Sequence, residues 1–306
     1  MRPLLALLGL SACAPALRAV TKEEEPHRWA LAAAAPTQLH RVLGVGLSVH
    51  DSEPSGTKPV LVCLHAIAHG GGDFTGVEAR LGDSWRIITV DWPGHGRSES
   101  DTEPASATRY AQLFEALVGQ LQLTRFVILG NSIGGAVAIR HAAAHPDQVR
   151  ALVLANPGGL DPGGLLARLW IGLLVDHFEQ GERNEARFEP WFRRYYEDIL
   201  VTEEARPQRD RIVAAGYEHA TVLAQAWRSF AAPGPNLVSL IQRVSMPVLF
   251  TWAKRDGLIT WGRNRAAVEA FPRASVEFFE AGHAPFLESS EAFHASLTRF
   301  LAGLDR

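Results

Sequence analysis

Several short stretches of this chain are apolar at almost every position and end in a polar or glycine-containing loop. A strand without a polar side has to be covered on both faces, as the strands of a parallel sheet are. Helical patterns fill several of the intervals, at residues 105–122, 133–145, 263–271 and 289–303. This alternation predicts an α/β fold with a doubly wound, mostly parallel sheet. The stretches, which follow the β-rich segment "HRVLGVGLSVHD", are "PVLVCLHA", "WRIITVDWPGHG", "RFVILGNS", "ALVLANPGG", "PVLFTWAKRD" and "SVEFFEAGH".

One interval of the chain, residues 157–242, keeps a helical pattern and contains no convincing strand. The segments "PGGLDPGG" and "AAPGPN" near its two ends are rich in residues that reverse the chain. Many of the chain's aromatic residues lie here, and a small group of helices needs such side chains to form a core. We therefore predict a helical lid inserted between two parts of an α/β core, residues 38–156 and 243–306. Most of the aromatic side chains should pack within the lid, while a few, with Trp191 as the candidate, face a ligand.

The charge and motif content of the 306 residues excludes several classes of function. The formal net charge is −3 and basic residues are mixed with acidic ones, so we predict no nucleic-acid partner. The pairs His65/His69 and His141/His145 have a spacing found in zinc sites, but neither encloses a glutamate and no third ligand is evident. No glycine pattern for a dinucleotide or for a phosphate loop occurs. The sequence thus predicts neither a metal nor an organic cofactor.

The first 37 residues have the composition of a leader followed by a tether. Arg2 precedes a seven-residue apolar run, and "LSAC", which ends at Cys13, resembles the cleavage site of a bacterial lipoprotein. The run is too short to span a bilayer and is at the lower limit for a signal peptide. Two locations therefore stay open: a periplasmic or outer-membrane protein anchored through a lipid on Cys13, or a cytoplasmic protein with an unmodified leader. The sequence predicts no other contact with a membrane and leaves the oligomeric state open.

The stretch "VILGNSIGG" places one serine between a buried strand and a helix, with glycines on both sides. A serine hydroxyl attacks a carbonyl only if it stands clear of the backbone and a base removes its proton. A sharp strand-to-helix turn exposes the hydroxyl but crowds the residues two positions before and after it. Those residues are Gly130 and Gly134, and Gly135 eases the packing of the helix on the strand. The pattern predicts that Ser132 is a catalytic nucleophile.

Two further polar residues follow the ends of the last two predicted strands. Asp256 lies in the loop after "PVLFTWA", and His283 follows "SVEFFEAG". Alone, such an aspartate would be a surface ion pair and such a histidine a structural polar group. The chain order Ser132, Asp256, His283 is, however, the order of hydrolases built on this kind of sheet. We therefore predict that His283 takes the serine proton and that Asp256 orients the imidazole.

From about residue 38 to its end, the chain resembles the α/β-hydrolase superfamily. The segments that carry the resemblance are "LHAIAHGGGDF", "DWPGHGRS", "GNSIGG", "RDGLIT" and "GHAPFLE". In relatives, a His-Gly pair after the third strand opens the loop that binds the oxyanion. The resemblance implies that the backbone N–H groups of Ile67 and Ile133 stabilise the oxyanion, a donor of this kind being worth about 3 kcal/mol.

Ala66 and His95 bear on the backbone conformation of that loop. The family's His-Gly pair is His65-Ala66 here, and alanine resists backbone angles that glycine adopts freely. We expect the glycines at positions 70–72 to restore the freedom that Ala66 lacks. His95, in "DWPGHGRS", matches the family's turn after the fourth strand, and we expect it to be a scaffold residue rather than a wall of the pocket entrance.

The nucleophile narrows the choice within the superfamily. Haloalkane dehalogenases and epoxide hydrolases resemble this pattern but have an aspartate where Ser132 stands. The classes that use a serine nucleophile remain possible: carboxylesterases, lactonases, thioesterases, peptidases, perhydrolases and C–C bond hydrolases. We expect hydrolysis of a small-molecule carboxylic ester through an acyl-enzyme. A slow-turnover ligand-binding protein that keeps the triad is the alternative from a different class.

Hydrolases that cleave C–C bonds in aromatic meta-cleavage products are the second enzymatic alternative. They carry "GNSMGG", close to "GNSIGG" here, and the resemblance implies that Asn131 touches substrate. Arg209, which follows "VTEE", matches their lid arginine for a substrate carboxylate. Against this alternative, "HAIAHGGG" replaces their "HGGGPG", and "GHAPFLE" lacks the tryptophan that usually follows the catalytic histidine. The candidates for substrate binding are His65, Asn131, Trp191 and Arg209.

Overall fold

An eight-stranded sheet runs through the structure, a computed structural model that describes residues 25–34, 36–161, 163–232 and 237–304. Its strands are β1 (Thr37–Val42), β2 (Val45–Asp51), β3 (Val60–Leu64), β4 (Arg86–Val90), β5 (Phe126–Asn131), β6 (Val149–Ala155), β7 (Val248–Ala253) and β8 (Ala274–Phe279). They lie in the order β1–β2–β4–β3–β5–β6–β7–β8. Strands β3 to β8 run parallel, while β1 and β2 form an antiparallel hairpin at one edge. The doubly wound, mostly parallel sheet predicted from the sequence is confirmed.

Helices cover both faces of this sheet. Those of the core are α1 (Thr75–Leu81), α2 (Ala107–Gln120), α3 (Ile133–Ala144), α8 (Trp261–Glu269), α9 (Pro285–Glu288) and α10 (Ser290–Gly303). Buried side chains of α2, α3 and α8 belong to one hydrophobic cluster and those of α1, α9 and α10 to another, so each face has its own core. The observed helices begin and end within a few residues of the predicted bounds, and at α2 a capping residue sets the start. Helix α2 begins at Ala107 because the Ser106 side chain accepts a hydrogen bond from the Arg109 N–H at 3.0 Å.

The strand order reverses at the centre of the sheet, between β3 and β5. The chain after β3 leads to α1 on one face, and the chain after β5 leads to α3 on the other. The two loops therefore separate and leave a crevice at the carboxyl ends of the strands, where open α/β sheets bind ligands. Ile67 lies in the loop after β3, and Ser132 follows β5 directly. The topology thus places both predicted site residues at this crevice.

Four α-helices lie between β6 and β7 in the described part of this interval, ahead of a 3₁₀ helix at Leu237–Arg243, and we call these four the helical insertion. They are α4 (Leu165–Glu182), α5 (Phe188–Glu197), α6 (Arg206–Ala214) and α7 (Gly216–Ala231). Helix α4 packs along α7, and buried rings of α4 and α5 form an aromatic core. A short 3₁₀ helix, His27–Leu31, contacts α6 and α7, and Glu218 of α7 accepts hydrogen bonds from the N–H groups of its first two residues. Among the helices of the described residues, none combines the length and the apolar character needed to cross a bilayer.

Candidate active site

Ser132 lies at a sharp turn between β5 and α3. Its φ is 52° and its ψ is −117°, a backbone conformation that strains any residue other than glycine. A Cβ on Gly130 would lie 2.6 Å from the carbonyl oxygen of Gly134, and a Cβ on Gly134 would lie 2.2 Å from that of Leu64. Both positions therefore have room for glycine alone. The Ser132 side chain lines a cavity, whereas its neighbours on either side in the chain are buried.

The loops after β7 and β8 bring Asp256 and His283 into contact. The distance between His283 Nδ1 and Asp256 Oδ2 is 2.7 Å, and both side chains are buried. The other carboxylate oxygen, Asp256 Oδ1, accepts hydrogen bonds from the N–H groups of Leu258 (2.8 Å) and Ile259 (2.9 Å). Burial lowers the pKa of His283, but the charge and hydrogen bond of Asp256, with the charge of Glu288, outweigh burial and raise it. The two side chains therefore form a buried, hydrogen-bonded His–Asp pair.

The turn that carries Ser132 is hydrogen-bonded to the loop that carries His283. Nδ2 of Asn131 donates to the carbonyl oxygens of His283 (3.1 Å) and Ala155 (2.9 Å). Within the described residues, the hydroxyl of Ser132 forms no hydrogen bond, and it stands free at the cavity. Of the three predicted catalytic side chains, the structure therefore joins Asp256 and His283 directly and holds the serine turn beside them through Asn131.

His65 and Asn131 both form hydrogen bonds within the fold, and their assignment as substrate-binding residues stays a prediction. His65 is buried, its Nε2 accepts a hydrogen bond from the Trp92 N–H (3.0 Å), and its carbonyl oxygen accepts one from Trp92 Nε1 (3.0 Å). Asn131 is equally buried and uses its amide nitrogen on the two carbonyl oxygens named above. Neither side chain lines the cavity. The amide oxygen of Asn131 is buried and has no hydrogen-bond partner among the described residues.

Arg209 and Trp191 are also absent from the cavity lining, and their assignment as substrate-binding residues stays a prediction as well. Arg209 Nη1 donates to the carbonyl oxygen of Leu200 at 2.6 Å, which fixes the segment between α5 and α6. Trp191 is buried in the helical insertion, with its ring stacked on those of His177 (4.4 Å between centroids) and Tyr195 (5.3 Å). Both residues stabilise the insertion itself. Cys13, the predicted site of lipid attachment, lies outside the described residues.

The two backbone N–H groups predicted to bind the oxyanion, those of Ile67 and Ile133, are unpaired among the described residues. The loop that carries Ile67 is fixed at its next residue, because the Ala68 N–H donates to His95 Nε2 at 2.9 Å. Burial lowers the pKa of His95 to about 4, so its ring is neutral and its Nε2 accepts this hydrogen bond. His95 is thus a scaffold residue of the loop.

The strain in this loop lies at Ala68, whose φ is 62°, and not at Ala66. None of the glycines at positions 70–72 has a positive φ, so the prediction that they restore backbone freedom is wrong. The first and last of them are needed for space: a Cβ there would lie 2.3 Å and 2.8 Å from the Leu31 carbonyl oxygen. These glycines therefore allow the 3₁₀ helix His27–Leu31 to pack against the loop.

Glu288, which the sequence reasoning did not single out, holds the histidine loop. Its Oε2 accepts hydrogen bonds from the N–H groups of Gly282 (2.9 Å), His283 (2.8 Å) and Ala284 (3.0 Å). Its Oε1 accepts one from the Val201 N–H (2.7 Å), so the same buried carboxylate also ties the loop to the helical insertion. The available indication was an acidic residue five positions after the histidine in "GHAPFLE".

Asn156 is a second residue that the sequence reasoning missed. Its Nδ2 donates to Asp256 Oδ2 (2.8 Å), and its Oδ1 accepts a hydrogen bond from the Ala253 N–H (2.8 Å). The side chain is buried, and its φ of 40° aims it from the end of β6 toward the aspartate. The indication was a polar residue at the end of the apolar run "ALVLAN".

A cavity of about 480 Å³ opens at Ser132, a volume typical of small-molecule sites. The charged residues that line it are Arg168 and the ion pair of Asp161 with Arg263. Within the described ranges, no group of three or more His, Cys, Asp or Glu could hold a metal ion. The cavity can accept an apolar part of a substrate beside the serine, because most of its lining is apolar: Ile67, Leu166, Trp170, Ile171, Trp227, Phe230, Leu258 and Ile259.

Known proteins share this fold. A profile of the α/β-hydrolase fold matches residues 59–290. Pimeloyl-(acyl-carrier protein) methyl ester esterase from Stenotrophomonas maltophilia is 30% identical over 258 residues, which cover 82% of this chain and 95% of that protein. A 2-hydroxy-6-oxononadienedioate/2-hydroxy-6-oxononatrienedioate hydrolase from Paraburkholderia phymatum is 25% identical, over 84% of this chain and 92% of its own. Among solved structures, an esterase from Exiguobacterium antarcticum has the same fold, with a TM-score of 0.75 at 21% identity over 86% of this chain and 98% of that one.

Replacing Gly134 by alanine should destabilise the protein, because the new Cβ would meet main-chain atoms of Leu64 that cannot move aside cheaply. We expect the free energy of unfolding, measured by urea denaturation, to fall by about 2 kcal/mol. Gly119→Ala is the matched control, since nothing lies within 4 Å of the point where the methyl group of an alanine would stand on that helix. Equal stability of the two variants would contradict the tight packing of the turn.

Replacing Glu288 by glutamine should loosen the histidine loop, because an amide offers one acceptor oxygen where three N–H groups now meet a carboxylate oxygen. We expect a loss of about 1.5–3 kcal/mol in the free energy of unfolding. Glu291→Gln, at an exposed glutamate of α10, is the control and should change it by less than about 0.5 kcal/mol. A Glu288→Gln protein as stable as its control would show that these hydrogen bonds contribute little.

Proposed function

Because the chain belongs to the α/β-hydrolase fold family, we propose that it is a serine hydrolase that cleaves small-molecule carboxylic esters. Ser132 is the nucleophile, His283 the general base and acid, and Asp256 the residue that orients the imidazole. One observation carries the proposal: a strained serine faces a cavity beside a buried His–Asp pair. The curated relative named as a methyl ester esterase supports the ester as the bond class.

Acylation follows from the positions of these groups. Ser132 Oγ attacks the acyl carbonyl while His283 Nε2 takes the hydroxyl proton, since Nδ1 is held by Asp256. The Ile67 and Ile133 N–H groups, unpaired among the described residues, stabilise the negative charge that develops on the carbonyl oxygen. His283 then gives the proton to the departing alkoxide, and the acyl group stays on the serine.

Deacylation uses the same groups in reverse order. A water molecule gives its proton to His283, its oxygen attacks the acyl carbon, and the bond to Ser132 Oγ breaks as the serine regains the proton. The products are a carboxylic acid and the free enzyme. The largely apolar cavity favours esters with an apolar acyl or alcohol part over strongly charged ones.

Cleavage of C–C bonds in dienoate substrates is the weaker proposal. A relative carries that name at 25% identity, but Arg209, which was predicted to hold the substrate carboxylate, donates to Leu200 away from the cavity. The two activities are separated by measuring kcat/KM for a short p-nitrophenyl ester and for a 2-hydroxy-6-oxo-dienoate. A much larger value for the dienoate would reverse the order.

A Ser132→Ala variant should lose esterase activity by roughly 10⁴-fold or more in kcat, because the nucleophile is gone. Its melting temperature should stay close to that of the wild type, since alanine is smaller and fits the same turn. A fluorophosphonate should label the wild-type protein and not the variant, which also separates an enzyme from a binding protein that does not react. Ser55→Ala, in an exposed loop, is the control for both measurements. Near wild-type activity in Ser132→Ala would overturn the proposal.

The pH dependence of kcat/KM should report His283, which must be unprotonated to act as a base. Because its pKa is raised, activity should increase with pH through one ionisation whose midpoint lies above about 6.5. In Asp256→Asn, His283 loses its attraction to the aspartate charge, whereas burial, which lowers its pKa, remains. The midpoint should therefore move to lower pH, and kcat should fall roughly 10⁴-fold. Asp210→Asn, at an exposed aspartate of α6, should leave the profile unchanged. A flat profile would contradict the role given to His283.

A further inference from the structure

The first half of α4 exposes a row of leucines. Leu165, Leu166, Leu169 and Leu173 are 74%, 81%, 60% and 47% exposed, and we call these four side chains the leucine face. Residues four apart on a helix are neighbours, so Leu165, Leu169 and Leu173 form one continuous apolar strip. A contiguous apolar surface of this kind marks a place where another molecule binds, whereas single exposed leucines need no explanation.

The leucine face borders the cavity. Leu166 lines the cavity mouth, and Trp170 and Ile171 of the same helix line its wall. Helix α4 thus separates the cavity from solvent with an apolar surface on each side. Further along the helix the outward residues become polar, beginning with Asp176. The exposed apolar surface is therefore confined to the part of α4 that lies at the cavity.

The charge beside the leucine face is positive. Arg168 lies among the leucines, is exposed, and forms no ion pair within the part of the chain that the structure describes. Arg263, the other basic residue of the cavity lining, is neutralised by Asp161. An apolar strip with an unpaired arginine suits a partner that is apolar beneath an anionic surface.

We propose that the leucine face docks onto an anionic lipid surface. The leucines enter the apolar layer below the headgroups, and Arg168 pairs with an anionic headgroup, as in helices that lie in a membrane interface. Docking in this orientation turns the cavity mouth toward the lipid. Where the proposed ester hydrolysis holds, an amphiphilic ester then passes from the lipid to Ser132 without crossing bulk water.

A second copy of this chain fits the leucine face less well. Symmetric pairing through so short a strip would bring two Arg168 side chains into one interface, where their charges repel. It would also close the cavity mouth, which Leu166 and Arg168 line. An anionic lipid surface supplies the opposite charge, and its lipids remain available to the cavity as ligands.

One of the two locations that the sequence leaves open, a lipid anchor on Cys13, is compatible with the same partner. Cys13 is the predicted site of lipid attachment, and eleven residues of chain lie between its position and that of Glu25. The twelve Cα-to-Cα steps from position 13 to position 25 span at most about 40 Å in a fully extended chain. A lipid on Cys13 would therefore keep the described part of the chain at a membrane surface.

The test compares the full-length chain with its Leu165→Gln/Leu169→Gln/Leu173→Gln variant, both made by cell-free translation so that Cys13 carries no lipid. Binding is measured by co-sedimentation with vesicles of equal parts phosphatidylcholine and phosphatidylglycerol. These three leucines are outside the cavity lining, and glutamine is a good helix former, so the fold should be kept. We expect the variant to bind about tenfold more weakly or worse. Wild-type binding should also weaken at high salt and on pure phosphatidylcholine, because of Arg168.

Leu39→Gln/Leu43→Gln is the matched control, since it removes two leucines of 55% and 56% exposure from the β1–β2 hairpin. It should bind as the wild type does, and the leader, identical in all three proteins, cancels from the comparison. Equal binding by the triple variant and the wild type, or no binding by the wild type, overturns the proposal. A dimer that sedimentation velocity shows in the wild type and not in the triple variant, without any difference on vesicles, assigns the face to a second copy instead. Binding needs no turnover, so an inactive protein that binds vesicles contradicts the proposed function alone.

Discussion

The packing of one turn against the end of a neighbouring strand is the constraint on which the site depends. Ser132 keeps a strained backbone because Gly130 and Gly134 let α3 approach within a distance that any Cβ would block. The approach brings the start of α3 against the carbonyl oxygen of Leu64, the last residue of β3. The same packing brings the start of α3, whose first residue is Ile133, next to the end of β3, which Ile67 follows by three positions. Strain at such a point persists only where the surrounding structure over-determines it.

Buried polar side chains position the residues of the candidate site. Glu288 gathers the main-chain N–H groups around His283, Asn156 holds the carboxylate of Asp256, and His95 fixes the residue after Ile67. Each is buried with its partners matched, which is the condition under which polar groups are tolerated in a core. His95 can act as an acceptor because burial keeps its ring neutral. The geometry of the site therefore depends on the hydrogen bonds that these buried side chains form with its loops.

Helix α4 has apolar side chains on both its inward and its solvent-facing sides. Its inward side chains pack in the apolar core and line the cavity, while its first turns present leucines to solvent. Most of the insertion's aromatic rings, Trp191 among them, stack on one another and leave the cavity wall to other residues. The insertion is thus a small packed unit whose exposed apolar side is limited to the segment beside Ser132.

The sequence by itself determined the sheet and the positions of Ser132, Asp256 and His283 at strand ends, because apolar strands, helical periodicity and glycines around a turn are local properties. It did not determine which polar residues face the cavity. Arg209 and Asn131 have the chemistry of ligand-binding residues, yet both use it on main-chain carbonyl oxygens. Glu288 reads as an ordinary helix residue, yet it binds four N–H groups from two parts of the chain. Only the tertiary structure decides such partners, because hydrogen bonds between distant segments depend on how loops pack and leave no periodic pattern in the chain.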